Sequence, residues 1–494
     1  MPGGKLNIDR YHAVMGSFSL NADFASLGEG QLATTEACFY VTQRKLRVAP
    51  CVGHDRLVQS LNHQALDAPR LRYLREDRAR LTHLADHLQG IHNLGLVRAV
   101  APATIVFSGE PFADITGPFC DVQLREVDFE HAFDDPMTIA SRALTIKRAA
   151  GKVFVSDFSL RRDGATDRAV DVAKYAFISG FDDTSNMEAA FQFDIPSIGT
   201  MAHYLVMAFI EYLDNPEIDS ATGKAKHFEQ TAFERWLDAH PKGTICLIDT
   251  VNARHGLIHA IRAAQSSPIR REAFKGVRID SGNLIEHGWW CRRVLDANGF
   301  QDVGLILTSD LDTESIREIV ATQLPVQGFG VGTKLGGEIE RIAGVIFKLC
   351  TIGGRPTLKC SETKGKETLP GKLQVWRYRD KNDNYLGDVI AGADESSEEA
   401  VEALRGILGN SMPVQAQPLL KDFWLRGQYD RIPSVAEQRD FVQTQLTHFL
   451  DLDAYPVVIS LRLAELKEEL RARMYADEIG TQGVLLPSGC ELND

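Results

Sequence analysis

Short apolar runs that end on polar residues recur through the middle of the chain. Ser197 to Ala202, Thr244 to Asp249, Val277 to Asp280, Val303 to Thr308 and Gln327 to Val331 each have the length and apolar content of a strand. Helical spacing fills the intervals at His203 to Leu213, Ala253 to Ala264 and Leu284 to Ala297. A further helix starts at Asp312-Thr-Glu-Ser-Ile, with acids at its positive end. This alternation, at a spacing of about 25 to 45 residues, predicts parallel βαβ units. In every unit the polar residues fall at the strand end: His203, Asp249-Thr250, Asp280-Ser281, Thr308-Ser309, then Gly330 to Thr333. In a barrel of parallel strands those ends share one rim, where active sites are built. A doubly wound sheet would gather its ligand at one switch point instead. The pattern favours the barrel.

The flanks read differently. Ala37 to Val41 and Thr104 to Phe107 are strand-like, while Asp55 to Leu61 and Arg70 to Leu88 carry helical spacing. After residue 360 the regular alternation stops. Lys364 to Glu367 and Pro370 to Lys372 are loop-like, Leu373 to Tyr378 is strand-like, and Asp394 to Ala400 is an acidic linker or helix start. A charged helix runs from Leu461 to Met474, and the tail Leu486 to Cys490 is irregular. The 494 residues exceed one core, and the changes of pattern divide them at 1–140, 141–360 and 361–494.

Composition narrows the function classes. The net charge of −13 offers no basic surface for nucleic acid, although a local pocket can still attract a small anion. Basic runs such as Arg70 to Arg75 alternate with apolar residues, as on a solvated helix face. No apolar stretch is long enough to cross a membrane, and the N-terminal MPGGKLNIDRYH lacks a secretory core. Eight scattered cysteines without a CxxC pair fit reduced thiols in a cytoplasmic protein.

The densest chemistry lies at Gly276 to Leu284, GVRIDSGNL. Arg278 and Asp280 point the same way from a strand, because side chains alternate with period two. The break at Ser281-Gly282 then opens a helix whose free N–H groups can hold an anion. Together these suggest a phosphorylated sugar. Gly328-Phe-Gly330-Val-Gly332-Thr333-Lys334 is a glycine-rich turn suited to phosphate. It matches neither the dinucleotide fingerprint nor the Walker A spacing. His203 at a strand end can serve as base, acid, metal ligand or phosphoryl acceptor. His83, His87 and His92 invite a metal reading, but His92 falls off the helix face of the other two and no further ligand pattern completes a site. Phe158-Ser-Leu-Arg161-Arg162 joins a ring to guanidinium groups that could clamp a flat carboxylate.

In this order, these residues resemble the nicotinate phosphoribosyltransferase family. The resemblance runs from Asp9-Arg-Tyr11 to Tyr455-Pro-Val-Val-Ile-Ser460. It is carried by Phe158-Ser-Leu-Arg-Arg162, Gly180-Phe-Asp-Asp-Thr-Ser-Asn186, Gly199-Thr-Met-Ala-His203, Arg278-Ile-Asp-Ser-Gly282, Ser309-Asp-Leu-Asp312 and Gly330-Val-Gly-Thr333. It implies an α/β fold: an irregular parallel α/β barrel with a second α+β domain formed from N-terminal and C-terminal segments. It also implies condensation of nicotinate with phosphoribosyl pyrophosphate, coupled to ATP and using Mg²⁺, in a homodimer with shared sites. His203 would then be the phosphohistidine. Arg278 and Asp280 would bind the phosphoribosyl group, Asp280 through ribose hydroxyls or Mg²⁺. Ser281, Gly282, Thr308, Ser309, Gly330, Gly332 and Thr333 would form the phosphate cradle, with Thr200 among the substrate contacts. Phe158 would stack on the pyridine, Arg161 would face its carboxylate, and Tyr11 would complete the stack from the neighbouring subunit. Ser185 stands where the related nicotinamide enzymes place an aspartate, which favours nicotinate.

Four positions depart from the family pattern: Ser159, Asp183, Asn252 and Asn283. Asp183 bears on substrate choice, since an inward-pointing acid would oppose a carboxylate. The alternatives are a paralogue acting on nicotinamide or another pyridine, a barrel aldolase, a nicotinamide-dependent oxidoreductase, and an inactive ligand-binding regulator. No recognised strand end carries a Schiff-base lysine, the dinucleotide fingerprint is missing, and His203, Arg278 and Asp280 are all present. These features weigh against the last three.

Overall fold

The structure, a computed structural model, describes residues 6–27, 30–62, 66–77, 81–90, 95–220, 222–337, 343–361, 363, 366–409 and 412–475. His92, Lys364 and the 486–490 tail lie outside the described residues. Six strands form the central sheet: β1 (Phe154–Asp157), β2 (Asp183–Thr184), β3 (Thr244–Leu247), β4 (Phe274–Ile279), β5 (Gly304–Leu307) and β6 (Val326–Val331). They pair in the order β3-β4-β5-β6-β1-β2, every pair parallel. The sheet curls without a ladder from β2 back to β3 among the described residues, an irregular half-barrel.

The strand expected at Ser197 to Ala202 shrinks to one bridge between Ser197 and Thr184. Ile198 N–H still reaches the Thr184 carbonyl at 3.1 Å. The chain then leaves the ladder, and Thr200 receives the Arg278 guanidinium instead. The helix expected from His203 is also shorter, spanning His203–Met207 before a 3-10 turn at Ile210–Leu213.

The strand alternation explains the two faces. Val155, Val277, Ile279, Leu305, Leu307, Phe329 and Val331 are fully buried in the main apolar core. That core includes side chains from the helices α1 (Glu126–Ala150), α2 (Thr166–Ile178), α3 (Phe228–Ala239), α4 (Ala253–Gln265), α5 (Leu284–Ala297) and α6 (Thr313–Ala321). The opposite face follows the register Arg278↔Ile306, Ile306↔Gly328 and, two residues on, Gly330↔Ser156↔Asp183. This second face carries the polar residues.

N-terminal and C-terminal segments interleave in a second α+β layer. A seven-stranded sheet joins Glu36–Gln43, Leu96–Ala99 and Pro111–Pro118 to Val345–Ile352, Arg355–Pro356, Lys421–Leu425 and Gln428–Tyr429. A four-stranded sheet is built from Leu373–Arg379, Tyr385–Gly392, Gln415–Pro418 and Val457–Ile459. Among the described residues no helix is long and apolar enough to cross a membrane.

Candidate active site

Just past β3 the pairing with β4 continues, with the Ile248 N–H 3.1 Å from the Arg278 carbonyl, which brings Asp249 and Asp280 together. Asp249 is buried, with a side chain 2% exposed. Its Oδ2 accepts from the Asp280 backbone N–H at 2.9 Å and from the Ser281 hydroxyl at 2.6 Å. Its Oδ1 is buried without a hydrogen-bond partner. Ser281, expected to meet phosphate, is thus engaged in fixing Asp249 to the next strand end. Asp280 in turn accepts from the Thr308 hydroxyl at the end of β5.

His203 completes the group. Its Nδ1 lies 3.1 Å from the Thr250 hydroxyl, while Nε2 lies 3.8 Å from Asp280 Oδ2 and 4.0 Å from Asp249 Oδ1. The ring is therefore held by one nitrogen and presents the other to two carboxylates. Two alternating residues back from Asp280, Arg278 donates to Thr200. Burial presses the Arg278 guanidinium below its usual pKa, Asp280 and Asp249 oppose that shift, and Arg161 adds to it. Arg161 sits exposed on the 3-10 turn Leu160–Arg162, so the two guanidiniums act on one space.

The aromatic position is set by glycine. A Cβ on Gly330 would lie 2.7 Å from the Phe158 ring and 2.6 Å from Thr308 Cγ2, and one on Gly332 would lie 3.2 Å from the Phe158 carbonyl. Glycine at Gly330 makes room for Phe158 and Thr308, a packing reason the phosphate reading did not supply. Buried Asp157 organises the neighbouring loops by accepting from Ser159 N–H at 2.8 Å and from the Thr184 hydroxyl at 2.7 Å. Ser185 N–H then donates to the Asp157 carbonyl at 2.8 Å. Phe158 and Ser185 follow adjacent strands for this reason.

Asp183 pairs with Ser156, so alternation places it on the face of Arg278 and Gly330. Burial raises its pKa to about 6; Ser156 opposes the shift, and Asp182 and Asp157 add to it.

The other expected residues are less closely bound in. Ser309 is exposed and holds a φ of 100°, unusual for a residue with a side chain, at the start of the turn that Asp312 caps for α6. Gly282 has a φ of 76° before Asn283 caps α5. Thr333 opens a π-helical turn, Thr333–Gly337. Tyr11 bonds Glu126 at 2.9 Å and packs on His12, so its contacts within its own chain are not with the rim. His87 is engaged with Asp121 at 2.6 Å rather than with a metal cluster. In the sequence Asp249 and Thr250 stand at a strand end where nothing local gives them a role. Only the register of β3 beside β4 shows that they hold His203 and Asp280.

Fold and cluster together define an α/β half-barrel protein whose rim gathers a histidine, two carboxylates and an arginine. A sequence model of the nicotinate phosphoribosyltransferase (NAPRTase) family matches residues 153–388, and one of the nicotinate phosphoribosyltransferase C-terminal domain matches residues 372–467. A nicotinate phosphoribosyltransferase of Mycobacterium tuberculosis is 31% identical over 411 residues, 82% of each chain. That of Bacillus subtilis is 34% identical over 298 residues, covering 59% of this chain and 57% of its own. In fold, the crystal structure of human nicotinic acid phosphoribosyltransferase superposes with a TM-score of 0.73 at 23% identity, over 94% of this chain and 100% of its own. The chain belongs to the nicotinate phosphoribosyltransferase family.

Proposed function

We propose that the protein transfers the phosphoribosyl group of phosphoribosyl pyrophosphate to the ring nitrogen of nicotinate, and couples this to ATP through His203. The nitrogen lone pair forms the bond to the anomeric carbon as the bond to pyrophosphate oxygen breaks. The products are nicotinate mononucleotide and pyrophosphate. The single observation that carries the reading is the cluster of His203, Asp249 and Asp280 on the rim that also holds Arg278.

Each side chain has a role in this scheme. Arg278, with Thr200 against it, offsets charge on the phosphoribosyl donor, and Asp280 orients the ribose hydroxyls. Thr308, Ser309, Gly330, Gly332 and Thr333 lie around the 5′-phosphate, with Ser281 and Gly282 at the adjoining turn. Phe158 stacks on the pyridine while Arg161 faces its carboxylate. Ser185, lacking charge, leaves that carboxylate unopposed. A second copy of the chain closes the pocket with Tyr11 of the partner subunit, a residue that is 49% exposed in the single chain.

An oxygen-only pair such as Asp280 and Asp249 suits Mg²⁺, and the unpartnered Asp249 Oδ1 leaves a lone pair for it. When bound, Mg²⁺ supplies positive charge to the departing pyrophosphate. For ATP coupling, His203 Nε2 accepts the terminal phosphoryl group and ADP departs. Thr250 on Nδ1 keeps Nε2 directed at the rim. Hydrolysis of that phosphohistidine drives the condensation. Incubation with γ-labelled ATP and mapping of the acid-labile label should find it on His203. Label elsewhere, or none, contradicts the coupling.

A further inference from the structure

We propose a second ligand site in this chain: a centre for a divalent transition metal of zinc type, formed by His227, Glu229 and His259. It lies at the start of α3 and on α4, shares no residue with the His203 cluster, and does not depend on the reaction proposed above.

Their donor atoms all lie within 4.8 Å of one another. His227 Nδ1 is 3.5 Å from Glu229 Oε2, and His259 Nε2 is 3.9 Å from the same oxygen. Ligands about 2.0–2.1 Å from a tetrahedral zinc ion stand roughly 3.3 Å apart, so the three donors, now up to 4.8 Å apart, must draw together to complete the centre. The two imidazoles stack, with ring centres 4.3 Å apart and planes 6° apart, so one ring must turn to bring both lone pairs onto a single ion.

Two facts separate this group from an ordinary surface cluster. The Glu229 side chain is 0% exposed, yet neither of its oxygens has a hydrogen-bond partner. His259 Nδ1 is likewise buried without one, while its other nitrogen, Nε2, is the one that faces Glu229. Unsatisfied buried polar groups are costly, a carboxylate most of all. The Val251 amide attracts the Glu229 carboxylate without reaching hydrogen-bonding geometry. A bound cation would satisfy it. Two imidazoles and one carboxylate leave a fourth position for water, and His227, with 34% of its side chain exposed, lies on the open side.

Position supplies the consequence. His227 caps α3 through a long 3.4 Å bond from the Glu229 N–H to Nδ1, which a metal on that nitrogen would replace; His259 lies on α4, and α4 begins immediately after Asp249 to Asn252. A metal here would clamp the two helices together and brace the strand end that carries Asp249 and Thr250.

Cobalt(II) is the probe. Chelator-treated protein is dialysed against Co²⁺ with excess Mg²⁺, which occupies oxygen-only sites but competes poorly for imidazole. The expected result is about one Co²⁺ per chain, with the visible bands of a four- or five-coordinate nitrogen-containing site. His227→Ala and Glu229→Gln should each weaken binding at least about tenfold, and His203→Ala should leave it unchanged. Circular dichroism checks that each variant is folded. The wild-type melting temperature should also rise with Zn²⁺, a readout that needs no variant. No cobalt uptake, no melting shift, or loss of uptake in His203→Ala rather than His227→Ala overturns the proposal.

Discussion

At Asp280 a single carboxylate touches Thr308, faces His203 and receives its backbone position from Asp249. Asp280→Asn should therefore lower kcat/KM by about 10²-fold or more, with or without ATP, in steady-state assays. Activity within a few-fold of wild type would reject its role. His203→Ala separates coupling from transfer: ATP stimulation should vanish, while uncoupled condensation persists at high substrate. Asp183 gives a pH signature. Burial raises its pKa to about 6, so the folded protein holds its proton more tightly than the unfolded chain does. Its contribution to stability is present at low pH and is lost as pH rises through about 6. In the scheme proposed above, ionised Asp183 would face the carboxylate of the substrate, since it shares the sheet face of Arg278 and Gly330. The KM for nicotinate should rise across that pH range, and Asp183→Asn should flatten the rise.

Among the elements, those whose residues agree locally were legible. Helix α5 spans Leu284–Ala297 as its spacing predicts, with Asn283 as its cap, and Asp312 caps α6 through a full capping box. Strands β4, β5 and β6 fall within a few residues of their apolar runs. Helix α1 was hidden, because Pro136 and a run of acids interrupt its 25 residues, and tertiary packing overrides both. Strand β2 is two residues long and has no pattern to read. The site was legible where chemistry sits on a motif, as at Arg278, Asp280 and His203. It was not legible at Asp249, whose role arises from the register between strands. The C-terminal sheet holds a buried pair that sequence also conceals. Arg377 and Asp388 lie in contact at 2.6 Å, 1% and 0% exposed, with the Tyr455 hydroxyl on Asp388 at 2.7 Å. Arg377 also donates to the Ile105 carbonyl at 2.8 Å, tying C-terminal strands to an N-terminal one. Asp388→Ala should cost about 3–5 kcal/mol in urea unfolding, since it strands a buried guanidinium. A loss below about 1 kcal/mol would show that the pair is not a fastening.

Across the whole molecule, the half-barrel supplies the rim, and the interleaved N-terminal and C-terminal segments form a second body beside it. If Tyr11 of the partner subunit closes the pocket, as proposed above, a stoichiometric consequence follows. If Tyr11→Ala and Asp280→Asn are each inactive, mixed and reassembled dimers should regain about a quarter of wild-type activity, because half are hybrids with one intact site of two. No recovery after verified subunit exchange would place Tyr11 outside a shared site. The most direct test of the central claim offers purified protein phosphoribosyl pyrophosphate, ATP and Mg²⁺ with nicotinate and nicotinamide in competition. The account predicts nicotinate mononucleotide and pyrophosphate in equal amounts, with nicotinamide scarcely consumed. Absence of nicotinate mononucleotide, or nicotinamide consumed as readily, would contradict it.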